Sequence, residues 1–425
     1  MREKKHKLKT LIQKIYITWN TFSANDLTTY ASAGAYSFLL SALPILLMVL
    51  AILLRLFNTS PEVIRNFIGS NALFTNSLDF SFFLDSVMSI KSVGIFEIII
   101  GISVFGMARK FFTSIQGGIK IIYKKRGKGK AFKENLVLLA GEAMLIIMIV
   151  VLTIFILAGN ALLATEIGAH MLSPMLFTML KYLFLFAPLL LLGIFLFLVY
   201  FIAPPIHPKA GPCLFASCGC TVSLTLVQVV FTAFINMSKY NLVYGILSNI
   251  IVTLLQVYLF FFLFLFFAQF LYVGQFFESF LFARIYLLPS YKNPDFFKQI
   301  ERTLFIDPPL FYKRYALRKK TGDVIFARGE NSTELYYLWQ GAVTLNLPNQ
   351  VIELKHGMVF GEFASIVGGA RTATAVAHTD VVLLKIPSRI FQETIKVDGE
   401  MSRKTLQMIS DYVRKKNEDG LSTEL

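Results

Sequence analysis

The chain alternates between long stretches almost free of ionisable side chains and short segments rich in Lys and Arg. A helix that crosses about 30 Å of hydrocarbon needs roughly 20 apolar residues and rejects charged ones. Six stretches meet this condition with at most one acidic residue each: residues 27–54, 92–108, 135–165, 182–208, 210–238 and 240–277. The pattern therefore predicts six transmembrane helices, the last of which follows an external loop at residues 240–245.

Basic residues mark the loops that are predicted to stay in the cytoplasm. Residues 1–26 carry six Lys and Arg, and seven more lie between Lys120 and Lys133, in the loop after the second predicted helix. Short loops rich in Lys and Arg remain on the cytoplasmic side of a membrane. Six helices then place both termini in the cytoplasm, which predicts a multi-pass protein of the inner (cytoplasmic) membrane.

The composition agrees with a membrane protein that has a soluble part. Hydrophobic residues make up 55% of the 425 residues and charged residues only 16%, against about a quarter charged in soluble domains. Residues 295–425 hold 18 Lys and Arg against 16 Asp and Glu, so most of the net charge of +15 lies before them. This predicts anionic lipid of the inner leaflet, rather than a nucleic acid, as a partner. The oligomeric state stays open, a homo-oligomer included.

The first 26 residues are predicted to form a basic amphipathic helix. Tyr16 and Trp19 fit interfacial anchors on such a helix, and a solvated helix is the alternative. The segment from Lys9 to Asp26 is mixed and polar, and no short apolar core with a small-residue cleavage site follows it. It is therefore not predicted to be a secretory signal.

Residue types that commonly bind metals do not form a recognisable site. Cys213, Cys218 and Cys220 lie at the start of the fifth predicted helix, where small residues for helix packing are the favoured interpretation. The five histidines show no paired spacing such as H-E-x-x-H. We therefore predict no metal site, no catalytic residues and no enzymatic activity.

Two motifs in the apolar part resemble one family of bacterial inner-membrane proteins. They are "ASAGAYSFLLSALPILLMVLAIL" at residues 31–53 and "NMSKYNLVYGILSNIIVTLLQVYLFFFLFLFFAQFLYVG" at residues 236–274. In order and spacing, residues 20–280 resemble the YihY family, which also bears the virulence-factor BrkB name, with Gln256 in place of an expected Trp. The residues that match the family motif are Tyr36, Ser41, Pro44, Asn241, Tyr244 and Gly245.

This resemblance implies six spans with cytoplasmic termini, but it does not supply a settled activity. An old ribonuclease label is attached to the family, whereas this chain offers no metal ligands and no paired acids near a basic groove. We expect instead the transport or export of a lipid-like or small anionic molecule.

Two acidic residues lie within predicted membrane helices. Glu97 and Glu142 would be costly if they faced lipid, so each is a candidate intramembrane polar site that faces the interior of the bundle. The alternatives are a position near the outer interface for Glu97 and snorkelling to the inner interface for Glu142. Pro44 and Pro188 each remove a backbone hydrogen bond, which predicts kinks in the first and fourth helices.

The composition changes after residue 282, and from Asp295 the chain becomes soluble in character. Short alternating stretches separated by turn residues predict strands, namely "DVIF", "ELYYLW", "AVTLNL", "QVIEL", "ATAVAH" and "VVLLKI". Apolar residues at helical spacing between 399 and 416 predict a terminal amphipathic helix. The expected architecture is an α-helical membrane bundle and a small cytoplasmic β-roll with flanking helices. Its predicted parts are the N-terminal helix (1–26), the membrane domain (27–282), a linker (283–299), the β-roll domain (300–416) and a tail (417–425).

One polar loop, "FGEFASIVGGARTATAVA" at residues 360–377, holds the candidate binding chemistry. Gly361 precedes a predicted helix start, where free backbone N–H groups suit a phosphate. Arg371 can clamp phosphate oxygens bidentately, and Glu362 on the first turn can accept a hydrogen bond from a sugar hydroxyl.

The same loop resembles the phosphate-binding cassette of cyclic-nucleotide-binding domains of the cAMP receptor protein and kinase regulatory subunit type, and the likeness covers residues 300–415. It implies that Glu362 binds the ribose 2′-hydroxyl and that Arg371 binds the cyclic phosphate. It also implies that N–H groups near Gly361 and Ala364 bind this phosphate, and that Thr372 touches phosphate or base. The expected regulatory ligand is cAMP or cGMP, with no other cofactor. The alternative is a ligand-free docking or dimerising module on a membrane scaffold.

Overall fold

A computed structural model describes residues 2–55, 109, 113–123, 174–234, 246–287, 296–306, 308–347, 350–367 and 369–421, with isolated helical positions between 141 and 155. Its helices are α1 Arg2–Ala24, α2 Leu27–Arg55, α3 Pro174–Ile202, α4 Ala210–Phe234, α5 Ile246–Gln275, α6 Phe277–Leu287, α7 Phe296–Phe305, α8 Pro309–Tyr315, α9 Glu362–Val367, α10 Ser388–Val397 and α11 Gly399–Leu421. A further helical stretch occupies residues 113–122. The chain divides into two compact units, one of Trp19–Tyr272 and one that joins Met1–Thr18 to Val273–Leu425.

The helical part contains candidate membrane spans. Within the described ranges, Ala210–Phe231 and Ile251–Gln275 are long and apolar enough to cross a membrane, and Phe186–Ile202 is a shorter apolar helix. The predicted spans at residues 92–108 and 135–165 lie wholly or largely outside these ranges, so the number of six spans stays a prediction. Five predicted site residues also lie outside the described residues: Glu97, Glu142, Asn241, Tyr244 and Gly245.

Glycines allow α5 to pack closely within the Trp19–Tyr272 unit. A Cβ atom added to Gly34 of α2 would lie 2.7 Å from Phe261 of α5, and one added to Gly219 of α4 would lie 2.6 Å from Phe267. Small residues at such crossings let helix backbones approach each other, which favours association in a membrane. The buried Tyr200 of α3 adds a polar link, because its hydroxyl donates a 2.9 Å hydrogen bond to the carbonyl oxygen of Phe264.

The C-terminal unit contains the predicted β-roll, built from two four-stranded antiparallel sheets. Their strands are β1 Ala316–Lys319, β2 Val324–Phe326, β3 Leu335–Gln340, β4 Val343–Asn346, β5 Val351–Leu354, β6 Val359–Phe360, β7 Thr374–Ala377 and β8 Val381–Ile386. The first sheet has the order β1-β8-β3-β6 and the second the order β2-β7-β4-β5. Alternate side chains of both sheets point inward, and Leu338, Val343, Ala375 and Leu383 are fully buried in one shared core.

The helix that follows α5 is enclosed by the C-terminal unit. Every side chain of α6 except that of Glu278 is buried. On α10, the Phe391 ring lies 6.1 Å from the Phe282 ring, and the Thr394 hydroxyl lies 3.0 Å from the Ser279 carbonyl oxygen. Residues 283–287, which the sequence assigns to a linker, therefore continue a helix whose apolar side chains belong to a protein core.

Further helices of the same unit cover the remaining sides of α6. Arg284 forms a buried ion pair with Glu301 of α7, with 3.2 Å between Nη1 and Oε1. The Tyr315 hydroxyl of α8 donates to the Glu278 carboxylate at 3.0 Å. On the α1 side, the Lys14 ammonium lies 5.1 Å from the centre of the Phe277 ring. α6 is thus held by helices that come from both ends of the chain.

Candidate functional site

The polar loop predicted to carry binding chemistry connects β6, α9 and β7. Gly361 joins β6 to α9 with a backbone φ of +80°, a conformation that side chains disfavour. A Cβ atom added here would also lie 2.7 Å from Nη1 of Arg371. The turn therefore requires glycine for two reasons, and both place the loop backbone directly against the Arg371 side chain.

Arg371 is fixed by three hydrogen bonds to its own unit. Its Nε donates to the Ser332 hydroxyl at 2.9 Å, its Nη1 to the Gly361 carbonyl oxygen at 2.8 Å, and its Nη2 to the Glu334 carbonyl oxygen at 2.8 Å. A guanidinium has five N–H groups in a planar fork. Among the described contacts, one N–H on each terminal nitrogen stays available, which is the arrangement that two oxygens of a phosphate or carboxylate can accept.

Aromatic rings support this guanidinium from one side. The Arg371 Cζ atom lies 4.2 Å from the centre of the Phe326 ring and 5.9 Å from that of Tyr336. The side chain is buried, with only 3% of the residue exposed. Stacking on a ring face stabilises a planar cation and restricts its rotation. The two remaining donors are therefore held in a defined direction.

The loop between β2 and β3 completes the surroundings of Arg371. The groups that contact its guanidinium are called the Arg371 cradle below, namely those of Phe326, Ser332, Glu334, Tyr336 and Gly361. The Arg371 N–H donates to the carbonyl oxygen of Glu330 at 3.0 Å, and the Gly329 N–H donates to the carbonyl oxygen of Arg371 at 2.9 Å. The Glu334 carboxylate pairs with Lys385 at 2.9 Å, and this partner lowers the pKa of Glu334. Burial lowers the pKa of Arg371, while Tyr336 and Glu334 act in the opposite sense. These neighbours therefore offset part of the cost of burying the guanidinium, which stays protonated because arginine is not deprotonated in proteins.

Glu362 lies at the first position of α9 and faces α11. Burial raises the pKa of its carboxyl group, and Lys404 of α11 and Arg371 partly offset this effect by favouring the ionised form. The same carboxylate contributes to the raised pKa of Tyr286 in α6, which burial dominates. Glu362 is therefore a partly desolvated hydrogen-bond acceptor with a cationic partner on the terminal helix.

The other predicted residues of the loop have simpler surroundings. Ala364 is buried in α9, with 3% of the residue exposed. Thr372 is exposed beside Arg371, so its hydroxyl is free to approach a bound molecule. The structure thus brings Gly361 and Arg371 into direct contact and places Glu362 within electrostatic reach of Arg371.

Several residues of this site were not identified from the sequence. Ser332 and Glu334 supply acceptors to Arg371, and Phe326 supplies the stacked ring. All three are distant from Arg371 along the chain, so no local motif connects them to it. The polar run "ENST" before β3 was the available signal, because a loop of this composition supplies hydroxyl and carbonyl acceptors.

The predicted motif residues in the helical part show no such cluster where they are described. Ser41 is buried in α2, and its hydroxyl donates to the carbonyl oxygen of Ser37 at 2.8 Å within the same helix. Tyr36 is exposed, and Pro44 lies within α2. Within the described ranges, no group of three or more His, Cys, Asp and Glu side chains could hold a metal ion.

Comparison with known proteins identifies two regions. A family profile described as Virulence factor BrkB matches residues 18–276, and a profile described as Cyclic nucleotide-binding domain matches residues 317–398. The second match contains β2 to β8, the Arg371 cradle and Glu362. The first match covers more than half of the chain and contains α2 to α5.

Two similar proteins match short parts of the chain. A cyclic nucleotide-gated potassium channel of Rhizobium etli is 39% identical over 71 residues, which are 17% of this chain and 20% of the channel. A cyclic nucleotide-gated potassium channel of Mesorhizobium japonicum is 42% identical over 80 residues, or 18% of this chain and 22% of that one. The chain thus spans about a fifth of the length of these relatives. Among solved structures, the catabolite activator protein of Thermus thermophilus is 22% identical, with 26% of this chain and 55% of that chain covered and a TM-score of 0.22.

The BrkB match extends over the helical region with its two candidate spans, and the second match coincides with the β-roll that holds Arg371. The prediction of both families from their motifs is confirmed. The chain therefore belongs to the Virulence factor BrkB family and carries a cyclic nucleotide-binding domain in its C-terminal part.

Proposed function

We propose that this protein is a six-span protein of the inner membrane, with both termini in the cytoplasm, that moves a lipid-like molecule under the control of cAMP or cGMP. The main support for control by a cyclic nucleotide is the Arg371 cradle. A buried guanidinium with two oriented N–H donors can bind an anion that offers two oxygens side by side. The proposal includes no catalysis. Degradation of RNA by the purified protein would contradict it.

Each part of a cyclic nucleotide has a partner in the site. The cyclic phosphate would accept from Arg371 and from N–H groups near Gly361 and Ala364. The ribose 2′-hydroxyl would donate to Glu362, whose carboxylate is partly desolvated. The exposed Thr372 hydroxyl would lie beside phosphate or base, where it keeps cGMP as well as cAMP among the ligands.

The route from this site to the membrane helices would run through α11 and α6. Lys404 of α11 favours the ionised Glu362, and its ammonium lies 4.4 Å from the centre of the Tyr286 ring in α6. The Tyr286 hydroxyl contacts the Met408 sulfur at 3.1 Å. A nucleotide on Glu362 would change the surroundings of Lys404, and α6 is separated from α5 by one residue. Such regulation requires that the nucleotide bind two arrangements of these helices with different affinity.

An apolar cavity in the helical unit favours a lipid-like cargo over a small anion. It has a volume of about 350 Å³, and Phe38, Phe195, Gln256 and Phe260 are among its lining residues. A small anion would lose its hydration there without gaining a charged partner, since Gln256 is the one polar side chain among the described lining residues. A hydrocarbon chain would keep apolar surroundings on entering this cavity.

Proteoliposomes test the proposal with two cargo probes. One is a phosphatidylglycerol with a fluorescent head group, followed by chemical quenching in the outer leaflet, and the other is radiolabelled sulfate inside the vesicle. We expect cAMP or cGMP to change the rate of lipid movement and not that of sulfate, and Arg371→Ala to remove the nucleotide effect. Sulfate movement would favour the small-anion alternative. Nucleotide binding without movement of either probe would contradict transport, and absence of binding would leave a scaffold with an interaction module.

The raised pKa of Glu362 predicts that nucleotide affinity falls in mild acid. The ionised carboxylate is the stronger acceptor for the ribose hydroxyl, so the affinity is complete above the pKa of Glu362 in the free protein and declines as the pH falls through it. We expect the Kd to rise progressively as the pH is lowered from neutral through this raised pKa. Isothermal titration calorimetry of the full chain at several pH values measures this change.

Two variants separate Glu362 from other titrating groups. Glu362→Gln should bind more weakly at neutral pH and show no pH dependence in this range. Lys404→Gln removes a charge that favours the ionised carboxylate, so the loss of affinity should begin at a higher pH. An unchanged pH profile in Glu362→Gln would show that another group titrates.

A further inference from the structure

The N-terminal helix exposes four apolar side chains on one face, although other apolar residues of the helix, Ile17 and Phe22, are buried. Leu8, Leu11, Ile12 and Ile15 recur at helical spacing on α1, and all of them are exposed, with Leu8 at 58%. The opposite face is buried, where the Gln13 amide donates to the Leu304 carbonyl oxygen of α7 at 2.9 Å. In a surface helix of a soluble domain, by contrast, an apolar stripe faces the core.

Helix α7 extends this apolar surface. Its Phe296 is 70% exposed and its Ile300 is 43% exposed, one turn apart on the same face. Together with Leu8 and Ile12 of α1, these residues line a groove of about 650 Å³. The surface formed by Leu8, Leu11, Ile12, Ile15, Phe296 and Ile300 is called the α1–α7 patch below. Exposed apolar surfaces that are contiguous in this way mark interaction sites.

The charges around the patch favour an anionic partner. Residues 2–9 contain Arg2, Lys4, Lys5, Lys7 and Lys9 against the single acid Glu3. On α7, Lys298 and Arg302 are exposed on the side of the helix away from Phe296 and Ile300, whereas Lys9 of α1 lines the groove itself. An apolar stripe flanked by cationic side chains, as on α1, is the arrangement of a helix that lies in the interface of an anionic lipid surface.

We infer that the α1–α7 patch binds the anionic lipid of the inner leaflet, with its apolar side chains among the acyl chains and its Lys and Arg at the head groups. Chain connectivity supports this partner, because only Asn25 and Asp26 separate α1 from α2, the first proposed span. Since α7 belongs to the C-terminal unit, the patch holds the cyclic nucleotide-binding domain against the membrane. The inference rests on the proposed membrane location.

Site-specific photocrosslinking in the full chain tests it. The photoreactive amino acid p-benzoylphenylalanine replaces Phe296 or Ile12 in protein held in nanodiscs of phosphatidylcholine with phosphatidylglycerol. The same replacement of Lys313, which is exposed on α8, is the matched control, and Ile251, which is exposed on α5, reports the membrane location. Mass spectrometry identifies the adducts.

We expect lipid adducts at positions 296, 12 and 251 and none at 313, with phosphatidylglycerol enriched at 296. Lys7→Gln should lower this enrichment about fivefold, because one basic residue near an anionic surface contributes about that factor. Adducts at 251 without adducts at 296 and 12 would overturn the inference and leave the membrane location intact. Crosslinks between two copies of the chain at 296 or 12 would overturn it as well. Absence of lipid at 251 would contradict the proposed membrane location itself.

Discussion

Replacing Arg371 by alanine is expected to abolish the binding of cAMP and cGMP by the full chain. The two N–H groups that its guanidinium directs away from Ser332, Gly361 and Glu334 would form charge-assisted hydrogen bonds to the phosphate. Such bonds contribute about 1.5–3 kcal/mol each, so losing two should raise the Kd at least about 100-fold. Isothermal titration calorimetry with each nucleotide measures the effect.

Matched variants separate this role from a general loss of folding. Arg371→Lys keeps the charge but lacks the planar fork, so we expect an intermediate loss of affinity. Arg318→Ala removes an exposed arginine of β1 and should bind like the unchanged protein. Thermal unfolding should show a folded C-terminal unit in all three variants. Undiminished binding by folded Arg371→Ala would mean that the cradle does not hold the nucleotide.

The second large effect is expected for Phe282→Ala in α6. Phe282 is fully buried and its ring contacts those of Phe391 and Tyr286. Truncation of a buried phenylalanine costs about 3–5 kcal/mol, because it removes apolar contacts and leaves a cavity. We expect a lower unfolding midpoint of the C-terminal unit, with nucleotide affinity within about threefold of the original, since Phe282 is absent from the Arg371 cradle.

Tryptophan fluorescence can report this unfolding specifically. The chain contains two tryptophans, Trp19 and Trp339, and the second lies in β3. In a Trp19→Phe background, urea titration in detergent would follow the β-roll through Trp339 alone. Phe296→Ala removes an exposed phenylalanine and is the matched control. Equal midpoints for the two variants would show that α6 contributes little to the stability of this unit.

The sequence predicted the helices and strands where a single physical rule governs them. Absence of charge located α4 and α5, and alternation of apolar residues located β3 and β8. The same rule placed the start of the fourth predicted helix at residue 182, whereas α3 begins at Pro174. The difference arises from Lys181, because a lysine excludes a charge-free stretch although its long side chain can be accommodated in a helix.

Apolar content alone did not distinguish a membrane helix from a protein core. The change in composition after residue 282 was taken as the end of the membrane domain, yet the side chains of Phe280, Phe282 and Ile285 are buried within the C-terminal unit. Tyr16 lies with its ring 5.6 Å from that of Phe305 in the same unit, and its predicted role as an interfacial anchor stays a prediction. Contacts of this kind join distant parts of the chain, so no single segment of the sequence shows them.

The candidate site was predictable to the extent that it is local. Gly361, Glu362 and Arg371 lie within one loop, and their spacing is typical of a cyclic nucleotide-binding cassette. The support of Arg371 by Phe326 and Ser332 depends on the register of the β-roll, in which β2 pairs with β7 beside the loop. A register of this kind follows from the packing of the whole sheet and is not readable from one segment.

Hydrogen–deuterium exchange of the full chain in nanodiscs tests most directly whether a cyclic nucleotide regulates the membrane part. Exchange would be followed in α5 and α6 with and without saturating cAMP or cGMP, for the unchanged protein and for Arg371→Ala. We expect the nucleotide to change exchange at the C-terminal end of α5 as well as in α6, and Arg371→Ala to remove both changes. Bound nucleotide with unchanged exchange throughout residues 246–287 would contradict it.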